Sequence, residues 1–456
     1  MDLKNKKVHM VGIGGIGMSG LALLLTGLGA RVSGSDLCNN TLIRKLRGKG
    51  VRINIGHDKN NVKTADIVVH SSSIRDNNPE ILNARQRDIK VISRIELLGM
   101  IACRHKHFVA VTGTHGKTTI TGMASFLMQE AGFEPTVLIG GESPHFNGNA
   151  KLGSGDLFVA EVDESDGRFV GLKPDHIIIS NLEKEHVEHY RSKTSLFSAF
   201  RKFLVCQDPG ATLFYRLEDP ALLQLTNTFR GNPLSFGFSR EADIYADKLE
   251  IRKLGVRFDC FRGKTRIGRF VISIPGKHNV LNTLPVISLG LRFGIRAKLL
   301  KDIISEYRNV KRRFETVGIA KGIRIVEDYA HHPTEIKATI SAAHALKPRN
   351  IITVFQPHRY SRTKAFYKDF SESFTGSSEV ILTEVYSASE ERRDGADSER
   401  IYNRMRKNPA VPVKLMDKDE VAVYVSERAK KGDLVLVLGA GDIGKTSREI
   451  FDTIIR

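Results

Sequence analysis

The hexapeptide Gly113-Thr114-His115-Gly116-Lys117-Thr118 stands between a short apolar run, VAV, and a helix-like stretch, TITGMASFLMQEA. The pattern is a phosphate-binding loop cut short, since the full G-x-x-x-x-G-K-[ST] expression would place glycine where Val111 stands. What survives is the end that does chemistry. Lys117 can reach the terminal phosphates of a nucleotide, the Thr118 hydroxyl can ligate Mg²⁺, and backbone N–H groups from Gly113 to Thr119 can cradle phosphate oxygens. Two acidic stretches follow. LFVAEVDESDGRF carries Glu161, Asp163, Glu164 and Asp166, and strand alternation puts Glu161 and Asp163 on one face, so one of them should face the loop. HIIISNLEKEHVEHY ends in Asn181, Glu183, Glu185, His186 and Glu188. Magnesium-nucleotide sites take few hard oxygen ligands. A carboxylate run that closes a buried strand suits that work as well as it suits a solvated loop.

A second glycine pattern lies well upstream. Gly12-Ile13-Gly14-Gly15-Ile16-Gly17 fits G-x-G-x-x-G after a strand and ahead of a helix, and Asp36 closes the next strand where a ribose-binding acid is expected. On those residues alone a nicotinamide dinucleotide is the first candidate ligand. The expression is weak, because Gly439-Ala440-Gly441-Asp442-Ile443-Gly444 satisfies it too. Further along, Asp328-Tyr329-Ala330-His331-His332-Pro333 and Gln356-Pro357-His358-Arg359-Tyr360-Ser361-Arg362 each follow an apolar strand. The adjacent histidines point apart on an extended chain. Arg359 and Arg362 form either a carboxylate clamp or a solvated basic loop.

These residues need strands that end where the chemistry is. From Lys7 to about Cys103, β and α patterns alternate (KVHMV, RVSGSD, ADIVVHSSS, IKVIS), which implies right-handed βαβ units and a parallel sheet. RHKH reads as a hinge before the Lys117 loop. LEIRKLGVRFDCFRGKTRIGRFVISI alternates with period two and reads as a β-meander ahead of GKHNVLNT. After NVKRRFETVG, the runs IRIVE, NIITVF, EVILTEV and DLVLVLG are four more strands with helical stretches between. The reading is α/β, with three consecutive domains over 1–104, 105–310 and 311–456 and polar residues at strand C-termini, where open parallel sheets bind ligands.

Composition sets the outer bounds. The chain has 456 residues, enough for several cores. Its four cysteines, widely spaced and without a CxxC pair, suit a reducing cytoplasm rather than a disulfide framework or metal knuckle. KNKK ahead of an apolar run resembles a signal peptide, but the glycine frame and the strand that follows speak against one, and no window is long enough to span a bilayer. The net charge of +19 is spread along the whole length without a basic tail or aromatic stripe, so solvated faces account for it better than nucleic acid does.

Taken together, VGIGGIGMSGLA, GTHGKTT, EVDESDGRF, NLEKEHVEHY, GKHNVLN, KRRFE, EDYAHHPTEI, FQPHRYSRT and GAGDIGK resemble the Mur ligase family, in its order and across nearly the whole chain. The likeness is greatest to the branch acting on UDP-N-acetylmuramate and L-alanine. It implies a Rossmann-like UDP-binding domain, a central P-loop-type ATPase domain with the meander, and a Rossmann-like C-terminal domain. It further implies that ATP phosphorylates the lactyl carboxylate, that the amine of L-alanine attacks the acyl phosphate, and that ADP and phosphate leave. By resemblance, Gly14, Gly15, Ile16, Gly17, Met18, Asp36, Ser71, Ser72 and Ser73 lie at the UDP-sugar. Gly113, Thr114, His115, Gly116, Lys117, Thr118 and Thr119 hold ATP, joined by His278, Asn279, Asn282, Arg313 and Asp328. Thr118, Glu161 and His186 hold two Mg²⁺ ions, with Lys117, His186 and Glu161 as the catalytic set. Tyr329, His331, His358, Arg359 and Arg362 surround the amino acid. The partners implied are small molecules, with no nucleic acid and no membrane insertion, for a monomer or homodimer.

The chain departs from the family's pattern at several points. Glu185 and Glu188 replace the aspartates that usually flank the metal histidine, which lengthens each acid by a methylene and should alter the metal shell. Arg168 stands where serine is common. Pro285 falls inside the helix after His278, at a cost of about 3 kcal/mol if interior, so a kink or a later helix start is expected. Three other readings are weighed. A ligase that recycles a peptide onto the same sugar would share both nucleotide motifs, and FQPHRYSRT speaks for the free amino acid. A nicotinamide oxidoreductase leaves GTHGKTT unused. A basic nucleic-acid-binding NTPase leaves the first glycine loop and the arginine pair unexplained.

Overall fold

The computed structural model describes residues 3–190, 192–253, 255–392, 394–407 and 411–456. The chain folds as two compact units, Met1–Glu183 with Leu196–Ile244 and Pro285–Ile303, and Lys184–Ser195 with Tyr245–Leu284 and Ile304–Arg456. The architecture is α/β, with three sheets.

In the first unit, a five-stranded parallel sheet runs in the order Arg52–Ile55, Arg31–Asp36, Lys7–Val11, Ile67–His70, Lys90–Ser93. Its register pairs Val11 with Ser35 and with His70, and His70 with Ser93. The residues that follow these paired ends, Gly12, Asp36, Ser71 and Arg94, therefore emerge along one edge. Val8, Met10 and Val11 are buried on both faces of the strand, as a central parallel strand requires.

The same unit holds most of the second sheet, in the order Asn232–Gly237, Thr212–Arg216, His176–Ile179, His107–Thr112, Leu157–Glu161, Thr136–Ser143, Gly148–Lys151. All of these neighbours are parallel except the last pair. Thr112 pairs with Ile179, and Val111 with Glu161, so Gly113, Ser180 and the acidic strand end meet at one edge. Buried Asn149 ties this sheet to the first glycine loop: its Nδ2 donates to Ile16 O at 2.5 Å and to Ser19 Oγ at 3.1 Å.

The second unit contains the expected meander, Ile244–Arg252, Gly255–Arg262 and Thr265–Ile272, the last two antiparallel. It also contains a six-stranded sheet ordered Glu315–Ala320, Ile323–Asp328, Leu434–Leu438, Ile351–Phe355, Glu379–Leu382, Val413–Leu415, parallel but for its first strand. Period-two alternation splits its side chains between two cores. Val326, Leu436 and Phe355 go to one face, and Ile325, Val435, Val437 and Val354 to the other. The helix Lys277–Arg292 keeps Pro285 inside it. The later start is thus not adopted, and the missing proline N–H leaves the Leu281 carbonyl without its helical donor. Among the described residues, no helix is long and apolar enough to cross a membrane.

Candidate active site

The Lys117 loop owes its shape to glycine. Gly113 has φ +111°, and a Cβ there would lie 2.6 Å from Ser180 Oγ and 2.9 Å from Asn181 O. Gly116, at φ +82°, starts the helix Lys117–Glu130. Neighbouring strand ends hold the loop from outside: Thr114 N donates to Asn181 O at 3.0 Å and His115 N to Asn181 Oδ1 at 3.0 Å. Lys117 is folded back, its Nζ 2.6 Å from Gly113 O, 3.2 Å from Thr114 O and 3.0 Å from Glu164 Oε1. Burial works against its charge, but Glu164, Asp163 and Glu161 outweigh burial and raise its pKa. The lysine is therefore a permanent cation. Thr118 Oγ1 lies 3.2 Å from Glu161 Oε1, and Gly140 N donates to Glu161 Oε2 at 2.8 Å. Of the two acids expected to share a face, Glu161 is the one that meets the threonine, while Asp163 pairs with Arg94. A hydroxyl and a carboxylate fit a hard divalent cation.

At the first loop, Gly12 takes φ +79° and packs under Ser71. Gly14 N donates to Asp36 Oδ2 at 2.8 Å and Cys38 N to Asp36 Oδ1 at 3.1 Å. One Asp36 oxygen thus holds the loop and the other turns its own chain after the strand. Ser71 and Ser73 hydrogen-bond each other at 3.0 Å, and Ser72 and Ser73 are exposed. Gly15 is exposed and Ile16 half-buried, whereas the Met18 side chain is buried at 1%. Met18 therefore packs beneath the loop.

In the second unit, the segment Lys184–Ser195 brings its acids to the arginines of FQPHRYSRT. Arg362 is buried, at 4% exposure, and every guanidinium nitrogen is engaged. Its Nε donates to Glu185 Oε1 at 2.9 Å, Nη2 donates to the same oxygen, and Nη1 lies 3.0 Å from His358 Nδ1 and 3.1 Å from His358 O. Burial would raise the Glu185 pKa, but the Arg362 charge holds it well below the usual carboxylate range. Arg359 is more open and sits 3.3 Å from Glu188 Oε1 and 3.7 Å from Glu390 Oε1. Burial likewise opposes the Glu188 charge, yet His186 and Arg359 keep its pKa at about 2. The longer acids flanking His186 are thus committed to arginines of their own unit. Sequence reading missed these pairings, which span 177 residues for Glu185 and Arg362. His186 itself takes φ +52°, an uncommon conformation for a side-chain-bearing residue, and its Nδ1 lies 3.7 Å from Glu188 Oε1.

The two histidines of the Asp328 loop part company, as an extended chain dictates. His332 caps the helix Pro333–His344 with Glu335, and the His331 ring centroid stands 5.9 Å from that of His358. Burial lowers the His331 pKa to about 4 and the His358 pKa to about 2, so both rings are neutral at pH 7. Asp328 accepts from Phe314 N and Ala330 N at 2.7 Å each, and burial raises its pKa to about 6. Arg312 and Arg313 lie over the Tyr329 ring, at 5.0 and 5.1 Å. His278 is pulled down to about 4 by burial, Asn279 Nδ2 donates to Pro275 O at 2.6 Å, and Asn282 Nδ2 donates to Asn279 Oδ1 at 3.1 Å. The third glycine loop is sealed from within. Arg312 Nη2 donates to Gly439 O and Gly441 O, Gln356 Nε2 donates to Asp442, and Gln356 Oε1 accepts from Ile443 N.

Parallel sheets with a lysine–threonine phosphate loop and carboxylates at their strand ends define an α/β protein of the nucleotide-phosphate-binding class. Three family models match in succession: Mur ligase family, catalytic domain, over residues 7–106; Mur ligase middle domain over 111–290; and Mur ligase, glutamate ligase domain, over 312–441. The chain belongs to the Mur ligase family. It is 40% identical over 447 residues to the UDP-N-acetylmuramate–L-alanine ligase of Anaeromyxobacter dehalogenans, covering 98% of this chain and 97% of that one. The ligase of the same name from Aquifex aeolicus is 40% identical over 446 residues, with 97% of both chains covered. Among solved structures, the UDP-N-acetylmuramate-alanine ligase of Thermotoga maritima aligns with a TM-score of 0.84 and 30% identity over 98% of each chain. A murein peptide ligase from Psychrobacter arcticus, at 22% identity and a TM-score of 0.73 over 99% of each chain, shares the fold.

Proposed function

We propose that the chain joins L-alanine to the lactyl carboxylate of UDP-N-acetylmuramate at the expense of ATP, in the cytoplasm, as a step of peptidoglycan precursor synthesis. The observation that carries this reading is the Lys117 loop, with a charged Nζ at the loop carbonyls and Thr118 Oγ1 3.2 Å from Glu161, within a chain 40% identical along nearly its whole length to proteins of that name.

On this reading Gly113 to Thr119 wrap the ATP phosphates. Lys117 leaves its loop carbonyls for the γ-phosphate and offsets the charge that develops as the phosphoryl group moves to the carboxylate. Phosphoryl transfer asks for alignment and charge neutralisation more than for covalent help, which matches a site built around the Lys117 cation. Thr118, Glu161 and His186 would hold Mg²⁺, which supplies charge neutralisation between phosphate and carboxylate. Gly14, Gly15, Ile16, Gly17 and the backbone of Met18 take the UDP-sugar, with Asp36 and Ser71 to Ser73 shaping that loop. His278, Asn279, Asn282, Arg313 and Asp328 are assigned to ATP. Arg359, the more open arginine, takes the amino acid's carboxylate in exchange for Glu188 and Glu390. Arg362 stands behind it and fixes His358. With their pKa values depressed, His331 and His358 present neutral rings beside an amine that must be unprotonated to attack.

The test is phosphate release from Mg-ATP with UDP-N-acetylmuramate, adding L-alanine, the recycled tripeptide or neither. Release that depends on L-alanine is expected. Release only with the tripeptide would move the chain to the recycling reaction, and no release with either would refute the proposal.

A further inference from the structure

Arg94 plays no part in the chemistry described above. It is the first residue of the helix Arg94–Ala102, directly after the strand Lys90–Ser93. It therefore emerges at the C-terminal edge of the first sheet, beside Gly12, Asp36 and Ser71. Its direction is fixed locally. Ser93 and Glu96 form a capping box, in which Ser93 N donates to Glu96 Oε2 at 2.7 Å and Glu96 N donates to Ser93 Oγ at 3.3 Å.

The guanidinium lies against the first glycine loop: a Cβ at Gly17 would stand 2.6 Å from Arg94 Nη1. On its other side, Nη2 donates to Asp163 Oδ2 at 3.1 Å, two residues beyond the acid that meets Thr118. Its Nε is buried and has no hydrogen-bond partner among the described residues. A guanidinium carries five N–H donors in a rigid fork. An arginine whose task was only to pair with Asp163 would not need to lie on the one loop position where any side chain would displace it. A planar cation with donors to spare, held on a glycine loop, is suited to a diphosphate.

We propose that Arg94 contacts the diphosphate of the UDP-sugar at the Gly12–Gly17 loop. The Asp163 carboxylate serves as its partner in the empty protein, so that filling the sugar-nucleotide loop draws Arg94 away from Asp163. This rests on the assignment of the first loop to the UDP-sugar.

Calorimetric titration of UDP, uridine and a non-hydrolysable ATP analogue into the full chain tests it, with Arg94→Ala and Arg94→Lys as variants. The UDP dissociation constant should rise about ten- to a hundredfold in Arg94→Ala and less in Arg94→Lys. Uridine and ATP-analogue binding should not change. Should Arg94→Ala fail to fold, Arg94→Lys with normal ATP-analogue binding carries the reading. Unchanged UDP binding would overturn the proposal. So would equal weakening of UDP and uridine, and so would a loss seen with UDP-N-acetylmuramate but not with UDP, which would place Arg94 at the carboxylate. A wild-type chain that binds no UDP would refute the loop assignment itself, a distinct result.

Discussion

Two loops in this chain satisfy the same G-x-G-x-x-G expression, and their surroundings separate them. At Gly12–Gly17 the Arg94 guanidinium lies against Gly17, and Asp36 accepts from the amides of Gly14 and Cys38. At Gly439–Gly444 carboxylates stand beside the Arg312 guanidinium. Glu327 crowds Gly444 while it accepts from Arg312 Nε and Ser447 Oγ, and Asp442 pairs with Lys418 at 2.6 Å. Glu327 thus stands beside the start of the helix Gly444–Ile455, and Arg312 holds the loop carbonyls. The glycines give both loops their turn. At the Gly439 loop the cations are spent on loop carbonyls and acids, whereas Arg94 at the first loop keeps a buried Nε with no hydrogen-bond partner among the described residues.

The largest expected effect belongs to the loop built around Lys117. Lys117→Ala should lower the rate of phosphate release by at least about a hundredfold, with UDP binding retained. Loss of UDP binding as well would mean that the two nucleotide loops are not separate. Next comes the buried pair in the second unit. Glu185→Gln leaves the Arg362 charge without its partner and should destabilise the fold by about 3–5 kcal/mol, read as a lower urea midpoint. Because the folded pKa of Glu185 is depressed, its stabilisation is present above the unfolded value of about 4.3. It is lost as pH falls through the lower folded value. The gap between wild type and variant should therefore close in acid. A gap that widened in acid would contradict the pairing.

How much of this was legible beforehand follows from distance along the chain. Alternation in one strand narrowed the acid to Glu161 or Asp163, and the Lys117 loop could be read from contiguous residues. Asp36 was legible as a functional position, but not as the acceptor that holds Gly14 N, since Gly14 lies across a parallel register. Glu185 and Glu188 read as metal-shell residues because they flank His186, and nothing local says that an arginine 177 residues away claims Glu185. Arg94 was passed over for the same reason. It follows a strand like any other basic residue, and only the packing of its helix puts it on Gly17.

Smaller effects sharpen the contrast between the glycine loops. Gly17→Ala presses on the flexible end of Arg94 and should raise KM for the UDP-sugar by about tenfold or less, with kcat nearly kept. Glu327→Gln, at the sealed loop, should cost about 1 kcal/mol of stability and leave both nucleotide KM values alone. A changed KM there would show that the third loop also touches substrate.

The most direct test of two separate nucleotide loops is the stoichiometry of the full chain by calorimetry, with UDP and a non-hydrolysable ATP analogue added singly and together. A single equivalent of each should bind without competition, Lys117→Ala should weaken only the ATP analogue, and Gly17→Ala should weaken only UDP. Competition between the two ligands, or a further equivalent of either at the Gly439 loop, would contradict this division of labour.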